Sequence, residues 1–357
     1  MPTVLSLPVS EASRPDQQTA PIPRTIDWAG DHLVAIDQTR LPDELVTVEL
    51  RTVDAVIDAI RRLVVRGAPA IGVTGGLGVA LAAVVADREG HDLAWVRAEA
   101  ARVRASRPTA VNLAWGVDRA LTQLGHGTAA VVDAAVDLLD HDVRTNRALA
   151  ARGAAWIRSR AGHAVRVLTH CNAGGLACVE WGTALGVVRA LHDTGDVVEA
   201  FADETRPLLQ GARLTAWELD RMGVPHRVVV DGAGPSVIAR GMVDVVVVGA
   251  DRVAADGDVA NKIGTYPLAL AAARAGIPFV VAAPESTIDM DTPTGATIHL
   301  EERDPDEVLV WHGRRVAPAR SGAWNPAFDV TPHDLVTALV TESRVVELSA
   351  GQTLDAT

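Results

Sequence analysis

Four residues of this 357-residue chain, Cys171, Gln210, Asp251 and Lys262, have types and positions that could do chemistry together, because each follows a short apolar run by a few residues. The clearest run is Val245 to Val248, β-branched throughout and with no polar face, which reads as a strand of a parallel sheet buried on both sides. It stops at Gly249-Ala250, and Asp251, Arg252, Asp256, Asp258, Asn261 and Lys262 then crowd what reads as a polar loop before a helix resumes near Gly264. Open parallel sheets bind ligands at the carboxyl ends of their strands, so this is where chemistry is expected. Lys262 is the only lysine in the chain; every other long cation is arginine. One surviving lysine is either chance or a place that needs a compact, mobile ammonium.

Cys171 lies in Thr169-His170-Cys171-Asn172-Ala173-Gly174-Gly175, after a predicted strand and before a helix expected to open at Leu176. A thiol at a helix N-terminus is drawn toward thiolate by the dipole and the free N–H groups, which makes Cys171 a candidate base or nucleophile. The alternative is a buried, inert cysteine, and that is how Cys178 reads, inside the expected helix. Gln210, in the segment from Glu204 to Arg213, can both donate and accept hydrogen bonds with a hydroxylated ligand. Glu204 and Arg206 either buttress that loop or form a salt bridge. Residues 284–289 read as a further loop at the same edge.

Two arginines could face this edge from earlier in the chain. Arg66-Gly67-Ala68-Pro69 closes one predicted helix and opens the next: Pro69 suits a first turn, Gly67 permits close approach, and free N–H groups there attract anions. A plain helix–helix corner with a solvated arginine fits the same residues. Arg107, at a second helix junction, is either a phosphate ligand or a surface charge. Gly72, Gly75, Gly76 and Gly78 read as close-packing positions in a helix, since no strand precedes them to make a dinucleotide loop.

Three short strands, Thr25 to Trp28, His32 to Thr39 and Leu45 to Leu50, predict a small antiparallel sheet. Helices follow: one capped by Thr52 and running to Arg66, one from Asp92 to Ser106, another through Leu124, and a long Ala-rich one from Thr128 to Arg158. The pattern then alternates, with strands at 165–169, 197–202, 227–230, 243–248 and 279–282. The fold class is therefore α/β: a small N-terminal domain of antiparallel strands plus helices, then a Rossmann-like doubly wound parallel-sheet domain. We divide the chain into a flexible tail over 1–24, a sheet-and-helix domain over 25–127 and a catalytic domain over 128–357 that opens with the long linking helix.

The formal net charge of −12 argues against nucleic-acid binding, while a local basic pocket for an anion remains compatible with it. Only two cysteines are present, in no disulfide or zinc pattern, which points to a reducing cytoplasm. No secretory signal and no membrane span are expected. There is no Ser-His-Asp arrangement, HExxH or Walker loop, and the eleven histidines are scattered, so neither a metal nor a cofactor is expected. A thiol and a carboxylate in one cleft can work as an acid/base pair, with Lys and Arg holding a phosphate. The residues thus read as a cofactor-free enzyme acting on a small phosphorylated, polyhydroxy substrate. Isomerisation is the simplest reaction that two proton-handling groups can perform.

RGAPAIG at Arg66, RPTAVNL at Arg107, THCNAGGLA at Thr169, ETRPLLQGARLTAWEL at Glu204, GADRVAADGDVANKIGTYPLA at Gly249 and NPAFDVTP at Asn325 together resemble the methylthioribose-1-phosphate isomerases of methionine salvage. These belong to the initiation factor 2B alpha/beta/delta-like family, and the likeness spans nearly the whole chain after about residue 24. It implies conversion of 5-methylthioribose 1-phosphate to 5-methylthioribulose 1-phosphate, with Asp251 as proton donor and Cys171 as the other catalytic residue. It implies substrate binding by Arg66, Gly67, Ala68, Arg107, Gln210, Asn261 and Lys262, and a homodimer. The wider family leaves two alternatives: an isomerase of ribose 1,5-bisphosphate or 5-deoxyribose 1-phosphate, and a non-catalytic regulatory subunit of the translation-initiation exchange factor.

Overall fold

The computed structural model describes residues 23–108 and 110–355, so the tail assigned to 1–24 lies almost wholly outside the described residues. Strands β1 (Ile26–Trp28), β2 (Leu33–Ile36) and β3 (Thr47–Leu50) form the expected antiparallel sheet in the order β1-β2-β3. Helix α1 (Val53–Arg61) is capped by the Thr52 hydroxyl, which accepts from the Ala55 N–H at 3.1 Å. It ends earlier than its apolar pattern predicts, because Leu63 takes a left-handed φ of 63° and turns Val64 and Val65 into the core as an irregular segment.

Helix α2 (Ala68–Glu89) runs through the middle of this part of the molecule, against α3 (Leu93–Arg104), α4 (Val111–Leu121) and the first half of α5 (Thr128–Ala161). Its glycines have the packing role expected of them. A Cβ on Gly116 of α4 would lie 1.9 Å from the carbonyl oxygen of Gly72, so the two backbones touch where both residues lack a side chain. By length and composition α2 could cross a membrane, since residues 68–86 carry no charge. In the structure most of it is enclosed by the surrounding helices. The second half of α5 packs with the larger sheet instead, so one helix serves both cores.

That sheet has seven strands, two more than predicted. They are β4 (Val165–Thr169), β5 (Val197–Asp203), β6 (His226–Val229), β7 (Val245–Val248), β10 (Phe279–Ala282), β15 (Ala338–Val340) and β16 (Val345–Val346). The spatial order is β16-β15-β10-β7-β4-β5-β6, parallel except for β16. From β4 the chain builds outward through α6 (Ala184–His192) to β5 and through α7 (Ala216–Arg221) to β6. It then returns through α8 (Gly234–Ala239) and lays β7 on the other side of β4. The winding direction therefore reverses between β4 and β7, and a crevice opens there at the carboxyl ends of the strands.

Asp251 to Lys262 is not the loop that its polarity suggested. Strands β8 (Arg252–Ala254) and β9 (Val259–Lys262) make an antiparallel hairpin in a second sheet of order β11-β8-β9-β14, where β11 is Ile288–Asp289 and β14 is Phe328–Thr331. Asn261 and Lys262 are thus fixed on a buried strand paired with Asp329 and Phe328, immediately before α9 (Thr265–Ala275). Between β11 and β14 lie α10 (Asp306–Leu309) and a two-stranded hairpin of β12 (Val310–Trp311) and β13 (Arg314–Arg315).

Candidate active site

One cleft of about 780 Å³, partly open to solvent, lies at the β4/β7 switch point under the start of α2. Arg66, Gly67, Ala68, Arg107, Cys171, Gln210, Asp251, Asn261 and Lys262 all line it, so every site residue expected from the sequence is brought to one place. β4 delivers Cys171, β7 delivers Asp251 and β9 delivers Asn261 and Lys262.

The electrostatics centre on three groups that feel one another. Burial pushes the Asp251 carboxyl above the usual carboxylate range, against the opposing pull of Lys262, Arg107 and Arg66, and Glu301 adds to the rise. Burial lowers Lys262 below the usual ammonium range despite Cys171 and Asp251, and its Nζ sits 5.0 Å from the centre of the Phe328 ring. Cys171 departs from expectation. No helix opens at Leu176; Gly175–Ala177 is a single tight turn and α6 starts only at Ala184. With no helix dipole behind it, the thiol is raised rather than lowered: burial raises it, Arg66 and then Lys262 oppose, and Asp251 adds a smaller rise. Cys178 follows that turn, outside any helix, fully buried in the cleft wall, and burial raises its thiol even further.

The backbone at Cys171 is held in an uncommon conformation. Its φ is 59°, and Thr205 and Leu209 of the neighbouring loop also take positive values, 65° and 59°. Such conformations cost on the order of 1–3 kcal/mol each and persist only where surroundings enforce them. Here the Cys171 N–H donates to the Thr205 hydroxyl at 2.8 Å and the Thr215 hydroxyl donates to the Cys171 carbonyl at 2.6 Å. His170 braces the same edge, with Nδ1 2.9 Å from an Asp203 carboxylate oxygen and Nε2 2.8 Å from the Ile263 carbonyl, which ties β4, β5 and the turn after β9 together.

On the side facing α2, Arg66 is buried and donates to the Asn172 side-chain oxygen at 2.9 Å and to its backbone carbonyl at 2.6 Å. The Asn172 amide donates in turn to Glu218 at 2.8 Å, and Glu218 also accepts from the Gly175 N–H at 2.7 Å. Burial holds Glu218 above the usual carboxylate range although these donors oppose it. This chain of contacts, which sequence reasoning did not find, aims the guanidinium at the cleft. Glu218 lay within a block singled out above, but only packing shows that it reaches Asn172.

Gly67 precedes α2 with φ 94°, and a Cβ there would lie 2.5 Å from the Ala177 Cα and 2.6 Å from the Ala177 carbonyl oxygen. Gly67→Ala is therefore expected to cost about 2–3 kcal/mol in urea-melt stability and to reduce turnover as well, since the displaced segment carries Arg66.

Gln210 is buried, and its side-chain oxygen has no hydrogen-bond partner, which leaves an acceptor for a ligand hydroxyl. The Asn261 amide donates to the Thr265 hydroxyl at 3.0 Å. Arg107 is paired with Glu301 at 2.9 Å, so it reaches the cleft as a partly neutralised cation. Glu204 and Arg206 act separately: Glu204 accepts from the Asp231 N–H at 2.9 Å, and Arg206 lies over the Trp311 ring at 5.0 Å. Arg303, also in the cleft wall and bonded to Glu301 and Glu307, was missed because a charged stretch of irregular chain carries no local signal.

Fold and site together define a doubly wound α/β protein with a cationic, acid/base-equipped cleft at the switch point of its sheet. The model of the Initiation factor 2 subunit family matches residues 64–347, and the chain belongs to that family. It is 51% identical over 329 residues to methylthioribose-1-phosphate isomerase from Alkalilimnicola ehrlichii, covering 90% of this chain and 94% of that one. A Nocardia farcinica relative, described as a probable bifunctional methylthioribose-1-phosphate isomerase/methylthioribulose-1-phosphate dehydratase, is 53% identical over 90% of this chain, which spans 59% of that longer protein. Among solved structures, 5-methylthioribose 1-phosphate isomerase from Pyrococcus horikoshii aligns with a TM-score of 0.84 at 40% identity, over 92% of this chain and 94% of that one. The delta subunit of translation initiation factor eIF-2B from A. fulgidus aligns at 0.78 and 42%, over 91% and 96%.

Proposed function

We propose that this chain is an aldose–ketose isomerase that converts 5-methylthioribose 1-phosphate to 5-methylthioribulose 1-phosphate in methionine salvage. The observation that carries the reading is Asp251, held toward its protonated form in the same cleft as Cys171, Lys262 and Arg66. The relatives at about half identity bear those isomerase names.

The substrate's anomeric oxygen carries phosphate, so its ring cannot open through a free hemiacetal. Asp251 donates a proton to the ring oxygen as the bond from C1 to that oxygen breaks. Lys262, Arg66 and the N–H groups at the start of α2 hold the phosphate, and the free oxygen of Gln210 accepts from a sugar hydroxyl. Two routes then lead to the ketose. Cys171 takes the C2 proton to give an enediol and returns a proton to C1 as Asp251 recovers one from the 2-hydroxyl, or Cys171 takes the 2-hydroxyl proton while hydride moves from C2 to C1. Exchange of the C2 hydrogen with solvent during turnover would exclude a strict hydride shift.

The test is turnover of purified protein with 5-methylthioribose 1-phosphate, with and without chelator, followed by detection of the ketose phosphate. Conversion insensitive to chelator is expected. Failure here and on related sugar phosphates would favour the regulatory-subunit reading, which the likeness to the eIF-2B delta subunit keeps in view. That reading gives no use to an acid, a thiol and a buried ammonium in one cleft. A cytoplasmic location and a homodimer belong to the same proposal; both cysteines are free thiols, and light scattering tests the dimer.

A further inference from the structure

A recess of about 420 Å³ adjoins the cleft, sharing Ala68, Arg107, Asp251 and Phe328 with it. Its own apolar wall comes from Ile71 on α2, Ala110 and Val111 at the start of α4, and Ile298 between β11 and α10. The two arginines that border it each face a carboxylate already, Arg107 2.9 Å from Glu301 and Arg252 3.5 Å from Asp289, and His299 is the remaining basic side chain of its wall. Asn112, also in the wall, has a buried amide oxygen without a partner, and an acceptor there disfavours an anion.

The isomerase reading fixes how a sugar would lie across this boundary. The ring oxygen bonds both C1 and C4, and C4 carries C5. With Asp251 at the ring oxygen and the C1 phosphate toward Lys262 and Arg66, the 5-substituent must leave on the other side of Asp251. The recess is the space beside Asp251 that the cleft residues Cys171, Lys262 and Arg66 do not line.

We propose that this recess is the 5-substituent subsite, and that Ile71, Val111 and Ile298 determine specificity by receiving a small uncharged apolar group such as methylthio. A 5-phosphate meets compensated cations there, so a 1,5-bisphosphate is disfavoured. A 5-deoxy sugar enters but leaves the wall unfilled. One buried methylene is worth roughly 10-fold or more in discrimination, which sets the scale of the effect.

The proposal rests on the isomerase reading, and the experiment separates the two. kcat/KM is measured for 5-methylthioribose 1-phosphate, 5-deoxyribose 1-phosphate and ribose 1,5-bisphosphate with the unmodified protein, Val111→Phe and Ile298→Ala. The methylthio sugar is expected to be used best, roughly 10-fold above the 5-deoxy sugar. Val111→Phe fills the recess and is expected to lower kcat/KM for the methylthio sugar about 10-fold while the 5-deoxy sugar changes less than about threefold. Ile298→Ala removes wall atoms without adding bulk and should narrow the ratio between these sugars at least about threefold, so the question is answered even if Val111→Phe fails to fold. Equal effects on both sugars in the variants would overturn the subsite while leaving the isomerase reading intact, whereas preference for the bisphosphate would overturn the subsite and the choice of methylthioribose as substrate together. No turnover of any sugar by the unmodified protein would overturn that reading and the subsite with it.

Discussion

Asp251→Asn is expected to lower kcat by roughly 10³-fold while KM changes by less than about threefold, because asparagine keeps the size and hydrogen bonding of the side chain but has no proton to give. Stopped assays across substrate concentration check it; a large rise in KM with kcat preserved would mean that Asp251 only binds. The pH dependence gives a second readout. Burial raises Asp251 from the carboxylate range and Cys171 from the thiol range, so between those two limits the pair holds one proton. Adding a second proton at low pH leaves no base, and removing the last one at high pH leaves no acid. The unmodified enzyme should therefore show a broad bell, its acid limb displaced above the ordinary carboxylate range. Lys262, lowered by burial, loses its charge on the alkaline side and steepens that limb. In Asp251→Asn the acid limb of the carboxyl disappears, and residual activity rises with pH as the thiol ionises.

The resting arrangement of that proton also explains why phosphate and acid/base groups share one cleft. In the empty site Lys262, Arg107 and Arg66 all pull Asp251 toward its ionised form. A bound phosphate adds negative charge beside those cations and screens their pull, so binding shifts the carboxyl further toward its protonated form. The acid is thus favoured in its proton-bearing form in the complex that needs it.

Much of this was legible in the chain because strand ends are local events. Val245–Val248 is followed at once by Asp251, and Val165–Thr169 by Cys171, so parallel strands alone place the two residues at one edge. Which strands neighbour each other was not legible. The reversal that sets β4 beside β7 depends on the order of crossovers, and no residue in either strand records it. The hairpin carrying Asn261 and Lys262 was hidden for a related reason: β8 and β9 are short and polar, and their partners β11 and β14 come from distant sequence. Where a helix was expected at Leu176, Gly174 instead bridges Gly182, and Gly174 and Gly175 lie so close to Glu218 and Glu180 that a side chain at either would clash. The charge state of Cys171 went wrong with it, since the dipole that would have lowered the thiol is absent.

That correction sharpens what removing the thiol should do. Cys171→Ala is expected to reduce kcat by about 10²–10⁴-fold, with thermal stability close to that of the unmodified protein because alanine tolerates the same burial. A raised thiol is a poor nucleophile at rest, so iodoacetamide should modify Cys171 slowly at neutral pH and faster as pH rises through the thiol range. Rapid modification at pH 7 would show a resting thiolate and contradict the burial argument. The decisive comparison is the double variant. If Asp251 and Cys171 pass one proton between them through the substrate, losing either stops the same step, and Cys171→Ala with Asp251→Asn should be little slower than the worse single variant. If the two losses instead multiply, the groups act in independent steps, and the shared-proton account of the cleft falls even though both residues remain essential. A thiol whose pKa is raised by the same burial that raises its partner's is a base only when that partner holds the proton, and the double variant measures that dependence directly.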